Sequence, residues 1–158
     1  MSRKIDLPPQ AIADFADFMI CAHGDFHTLH LKVEGKEFDV MHKEVLQEYY
    51  DEAAEDYDEL AEWCEALDGE LGSKNFAASR IKYPDYAPDA VTRDEAVTKS
   101  DWLLDQICKG FTLLFRACSD KCPIQLGFQD YIQGRLQYWA KEMAFFNKHR
   151  RFRGGKKK

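Results

Sequence analysis

Residues His27–Gly69 read HTLHLKVEGKEFDVMHKEVLQEYYDEAAEDYDELAEWCEALDG. The first part places two histidines, His30 and His42, on either side of a turn at Gly35. The second part is a long acidic run, with Val45, Tyr49, Leu60 and Leu67 marking a buried stripe. Asp58 and Glu62 are four residues apart, so a helix sets both carboxylates on one face. Imidazole and carboxylate together suit iron or zinc. The stretch therefore points to metal chemistry on a helical scaffold.

Working outward, the same periodicity predicts four long helices. The first opens at Leu7-Pro8-Pro9, where proline suits a first turn, and runs to Gly35. Its apolar positions Ile12, Phe15, Phe18, Met19, Ala22, Phe26, Leu29 and Val33 recur every three to four residues. The second spans Glu37 to about Leu67 and stops at Asp68-Gly69 and Gly72. An irregular segment from Gly69 to Val91 follows, with room for a short helix around Asn75–Ile81. Thr92-Arg93-Asp94-Glu95 forms a capping box for the third helix, which continues through Trp102, Leu103, Ile107, Phe111, Leu114 and Phe115 to about Asp120. Pro123 opens the fourth, with Leu126, Tyr131, Leu136, Trp139, Met143 and Phe146 on its apolar side. No strand pattern competes. The expected fold is all-α, a ferritin-like four-helix bundle with a long crossover connection between helices two and three. Residues 1–152 would form that domain and 153–158 a disordered basic tail.

Charge is distributed unevenly. Lys148, Arg150, Arg151, Arg153, Lys156, Lys157 and Lys158 follow Asn147 with no acid among them. Taking those seven charges from the formal net charge of −6 leaves the body at −13. An acidic body attracts cations, and a basic tail can follow a polyanion such as DNA without reading its sequence. Residues 43–70 hold twelve acids against the single base Lys43, a density that fits either a solvated face or the lining of a cation-filled cavity. His23, His27 and His30 share one helical face, and for His23 a bond to a backbone carbonyl is the expectation. The five cysteines contain no CxxC pair and read as reduced thiols. No apolar run approaches a membrane span, and MSRKIDLPPQ lacks the apolar segment of a signal peptide, so an intracellular protein is expected.

The spacing of His30, Gly35, Phe38 and His42 resembles the signature of the Dps mini-ferritins, the family that protects DNA during starvation. His27, three residues before His30, matches a histidine found in some members. Asp58-Glu59-Leu60-Ala61-Glu62 matches the family's Asp-x-x-Ala-Glu, and Trp139 its late tryptophan. The resemblance covers roughly residues 10–150. It implies that His30 and His42 of one subunit, with His27 nearby, meet Asp58 and Glu62 of a two-fold partner to bind ferrous iron, with zinc able to take the same site. It further implies oxidation of that iron by hydrogen peroxide or oxygen, ferric oxide stored in a twelve-subunit shell, non-specific DNA binding through the tail, and a cytoplasmic or nucleoid-associated protein. The two Glu-x-x-His motifs of single-chain di-iron bundles do not occur here.

The chain departs from the family pattern at Leu31, at Trp63, and at Leu46, where an acid is usual. Asp58 also lies sixteen residues after His42, where the family has fifteen. One residue rotates a helix by about 100°, so a π-bulge or an adjusted turn between them is needed to keep the ligands in phase. These departures support a rival expectation, a DNA-binding or structural shell protein of the same fold with weak or lost oxidation. A helical bundle with an unrelated partner is the third.

Overall fold

Pro8 and Pro9 start the first helix for a simple reason: a proline at the first helical position gives up an N–H that would have no partner there. In the computed structural model the described residues are 7–33, 44–67, 69 and 93–154, with side chains described for all of these except 93 and 149–154. They contain four helices and no strand: α1 (Pro9–Lys32), α2 (Gln47–Ala66), α3 (Arg93–Ala117) and α4 (Pro123–Gly154). The all-α expectation holds for these residues. None of the helices is long and apolar enough to cross a membrane. The expected turn at Gly35, the start of the second helix at Glu37 and the short helix at 75–81 fall outside the described residues.

The chain divides into two compact units, one of Pro8–Ala96 and one containing Val97–Lys158. In the first, α1 and α2 pack antiparallel. The Cys64 thiol lies 4.0 Å from the Pro9 carbonyl, while Phe26 and Tyr49 meet edge-on at 5.4 Å near the other end. All eight apolar residues expected on the α1 stripe are buried, from Ile12 to Val33. On α2, Tyr49 and Leu60 are buried, whereas Val45 and Leu67 are only half-buried. Before α2 proper, residues 44–46 are wound as a π-helical turn. Beyond it, the Gly69 N–H returns 2.8 Å to the Cys64 carbonyl, a six-residue Schellman-type closure that satisfies a helix-end carbonyl.

In the second unit, α3 and α4 form a hairpin around residues 118–122. Gln125 Oε1 accepts from the Ser119 N–H at 2.8 Å, and Gln129 Nε2 donates to the Phe115 carbonyl at 3.1 Å. Ala96, Ser100, Leu103, Leu104, Ile107, Phe111 and Leu114 make the buried stripe of α3. Two expected core residues are exposed, and Phe115, Tyr131, Leu136 and Met143 are only half-buried. Trp102 is 37% exposed, with the Lys99 ammonium 4.6 Å above its ring, and Leu126 of α4 is 49% exposed. Besides the expected Trp139 and Phe146, the buried side of α4 holds Gln125, Phe128 and Ile132. The helix continues to Gly154. Residues 155–158 are outside the described region.

Two glycines predict opposite responses to one substitution. A Cβ on Gly69 would meet the Cys64 sulfur at 2.6 Å and Pro9 Cβ at 2.9 Å, whereas Gly134, inside α4, has nothing within 4 Å. Gly69→Ala should therefore destabilise the fold by about 1–3 kcal/mol through overpacking. Gly134→Ala should stabilise it by about 0.5–1 kcal/mol, by removing backbone freedom from the unfolded chain. Paired urea denaturation curves check both signs.

All five cysteines are free thiols, with Cys21 and Cys64 buried. Burial pushes Cys108 up to about 11, with help from the nearby Asp105 carboxylate, and burial alone pushes Cys118 to about 11. Raising a thiol from 9.0 to about 11 cuts its thiolate fraction at pH 8 about a hundredfold, and the thiolate is the nucleophile. Iodoacetamide should accordingly label both sites far more slowly than a free thiol, as read by peptide mass spectrometry.

Candidate metal centre

The histidines of α1 gather around one residue of α2. The His23, His27 and His30 rings follow one another along the helix, with centroids 6.2 Å and 6.1 Å apart. Tyr50 faces all three, at 5.8 Å from His23, 4.9 Å from His27 and 5.1 Å from His30. Exposure changes from one to the next: His23 is half-buried, His27 exposed and His30 only 7% exposed. His23 Nδ1 lies 2.8 Å from the Tyr50 backbone carbonyl. A carbonyl can only accept, so Nδ1 carries the proton. This is the carbonyl-bonded histidine expected at that position.

The expected carboxylates stand elsewhere on the same helix pair. Asp58 and Glu62 are both exposed, one turn apart on α2. Burial, then the charges of Asp17 and Asp58, raise the Tyr57 hydroxyl. Asp58 follows Tyr50 by eight residues, or roughly 12 Å of helix, and Glu62 follows it by twelve, or roughly 18 Å. The imidazole end and the carboxylate end of the helix pair are therefore far apart along its axis. Among the described residues, no group of three or more His, Cys, Asp or Glu side chains could hold a metal ion. His42 lies outside them.

No protein-family model, curated protein or solved structure matches the chain. The local geometry must carry the functional reading.

The π-helical turn at 44–46 falls between His42 and Asp58, the interval in which this chain has sixteen residues. A π-turn takes up about one residue more than an α-turn. Leu46, where an acid was notably missing, is fully buried as an apolar side chain. Of the acids in the α2 run, Asp56 is buried and Glu52 half-buried, while Glu44, Glu48, Asp51, Glu55, Asp58, Glu59, Glu62 and Glu65 are exposed. Most of the run is therefore a solvent face of the single chain. Tyr50 went unnoticed at the level of sequence because it is one of seven tyrosines and carries no motif. Asp17 and Asp25, both fully buried, had a visible signal, since they interrupt the apolar positions of α1.

In the tail, Lys148 is exposed, and Arg150, Arg151 and Arg153 fall within the last turns of α4. Lys156, Lys157 and Lys158 are outside the described residues. Cations at a helix C-terminus are favoured by the macrodipole, which is consistent with helix continuing through this basic stretch.

Proposed function

We propose that the protein is a Dps-like mini-ferritin, a ferritin-like four-helix bundle that binds and oxidises ferrous iron at an interface between two subunits. His30 and His42 of one chain and Asp58 and Glu62 of a two-fold partner hold the iron, with His27 beside them. Carboxylate oxygens favour the ferric product, imidazole holds the ferrous substrate, and open positions admit hydrogen peroxide or oxygen. Peroxide accepts two electrons, one from each of two ferrous ions, and the ferric product collects inside a closed shell. The basic residues Lys148 to Lys158 bind DNA without sequence preference.

The π-helical turn at 44–46 supports this reading, because it lies within the His42–Asp58 interval, which is one residue longer than the family spacing and needs such a turn to keep the ligands in phase. The roughly 12–18 Å of helix that separate Asp58 and Glu62 from Tyr50, which sits among the imidazoles, also favours a shared site, since a lone chain supplies only half of it. A second reading, a DNA-binding or structural shell with weak oxidation, is favoured by Leu46, which is buried and offers no oxygen donor where the family has an acid.

Light scattering at neutral pH and moderate salt should give a mass near twelve times 18.4 kDa. Peroxide should oxidise ferrous iron faster with the protein present than in buffer. A stable monomer would remove both the shell and the shared site, whereas a shell without accelerated oxidation would select the second reading.

A further inference from the structure

His23 and His27 are separated by one helical turn, with Gly24, Asp25 and Phe26 between them. Two histidines at this spacing on one helical face can chelate a single cation. Their rings are nearly parallel, at 24°, with centroids 6.2 Å apart. Zn–N bonds of about 2.1 Å at a tetrahedral angle would bring two such centroids to roughly 5 Å. A tilt of the exposed His27 ring closes that difference.

The second observation concerns the proton on His23. Its Nδ1–H is held by the Tyr50 carbonyl at 2.8 Å, which leaves Nε2 as the unprotonated nitrogen of the neutral ring. Metal-binding histidines commonly show this arrangement, with one ring nitrogen donating to a carbonyl and the other turned to the ion. His23 is thus set in the ligating tautomer before any metal arrives. His30 is buried, while His27 is exposed and His23 half-buried, so this pair is the part of the ladder open to solvent. The acidic body raises the local concentration of cations around it.

The geometry points to a second cation site, formed by His23 Nε2 and His27, that takes a borderline divalent ion such as Zn2+ with water completing its coordination. It shares His27 with the surroundings of the iron site assigned to His30, His42, Asp58 and Glu62, but it is built on His23, which that site does not use, and does not depend on that assignment. Two neutral imidazoles favour late first-row ions over the hard Mg2+ and Ca2+.

The test is a Zn2+ titration by calorimetry on the full chain carrying His30→Ala and Glu62→Ala, which disables the iron site. One Zn2+ per chain is expected. Adding His27→Ala should weaken binding at least about tenfold, as should His23→Gln, while His149→Ala should leave it unchanged. His27 is exposed, so its substitution does not threaten folding. Nitrogen-15 spectra of labelled histidine should show Zn2+ moving His23 Nε2 while Nδ1 stays protonated. Unchanged Zn2+ affinity in the His27→Ala protein, or ligation of His23 through Nδ1, would overturn the site.

Discussion

His42→Ala and Glu62→Ala should each slow peroxide-driven oxidation of ferrous iron by about a hundredfold or more. The magnitude follows from the usual cost of disturbing outer-shell partners, about 10–100-fold in affinity or activity, which the loss of a direct ligand should at least equal. The two substitutions act from different helical segments and, in the proposed assembly, from different subunits. Combining them should therefore cost little beyond the larger single effect, because half a site already fails. Glu62 is exposed in the single chain, so its loss should leave the fold stable and separate chemistry from unfolding. His149→Ala should oxidise iron at the wild-type rate. Stopped-flow absorbance of the ferric product measures all four proteins. If the double variant matches wild type, the structural-shell reading replaces the ferroxidase one.

Deletion of Arg150–Lys158 should remove most DNA affinity and leave iron oxidation intact. The deletion takes away six of the seven basic charges after Asn147 and none of the proposed ligands. What remains is an acidic body, which repels phosphate at every distance within the Debye length. Each phosphate neutralised contributes about −0.9 to the slope of log affinity against log salt, so six contacts predict a slope near −5. The intact protein should lose on the order of a thousandfold in affinity between 50 and 200 mM salt. Several tails on one shell would sharpen this by acting together. Gel-shift titrations at both salt concentrations, with unrelated DNA sequences, compare the intact and truncated proteins. Equal affinity without the tail would move the contact elsewhere, with Arg3 and Lys4 the next candidates.

Particular residues mark how far the fold and the candidate site were legible. The α1 stripe was read correctly because its apolar residues repeat at 3.6-residue spacing, and Pro9 and Pro123 mark helix starts by their missing N–H. On α4 Trp139 and Phe146 are buried as expected, but the rest of the stripe differs. Leu126 is exposed while Phe128 and Ile132 are fully buried, and apolar residues lie on more than one side of that helix. Periodicity cannot choose between two apolar sides without the surface that covers one of them. Trp102 illustrates the same limit, since its ring remains partly at the surface beneath the Lys99 ammonium.

The sequence by itself determined helices throughout the described residues, the starts of α1 and α4 at Pro9 and Pro123, the buried side of α1, and the local spacing that selects His30, Asp58 and Glu62 as candidates. These are matters of neighbours within a few turns, where backbone geometry alone sets which residues share a face. Only the tertiary structure decided which residues of α1 and α2 meet. The placing of Tyr50 among three imidazoles depends on antiparallel register between helices, as does the fixing of the His23 proton by a carbonyl twenty-seven residues away. So does the distance separating the histidine end from the Asp58 end. The π-turn at 44–46 belongs between the two: a count of residues shows that one is extra, but where the chain absorbs it depends on how α2 settles against α1.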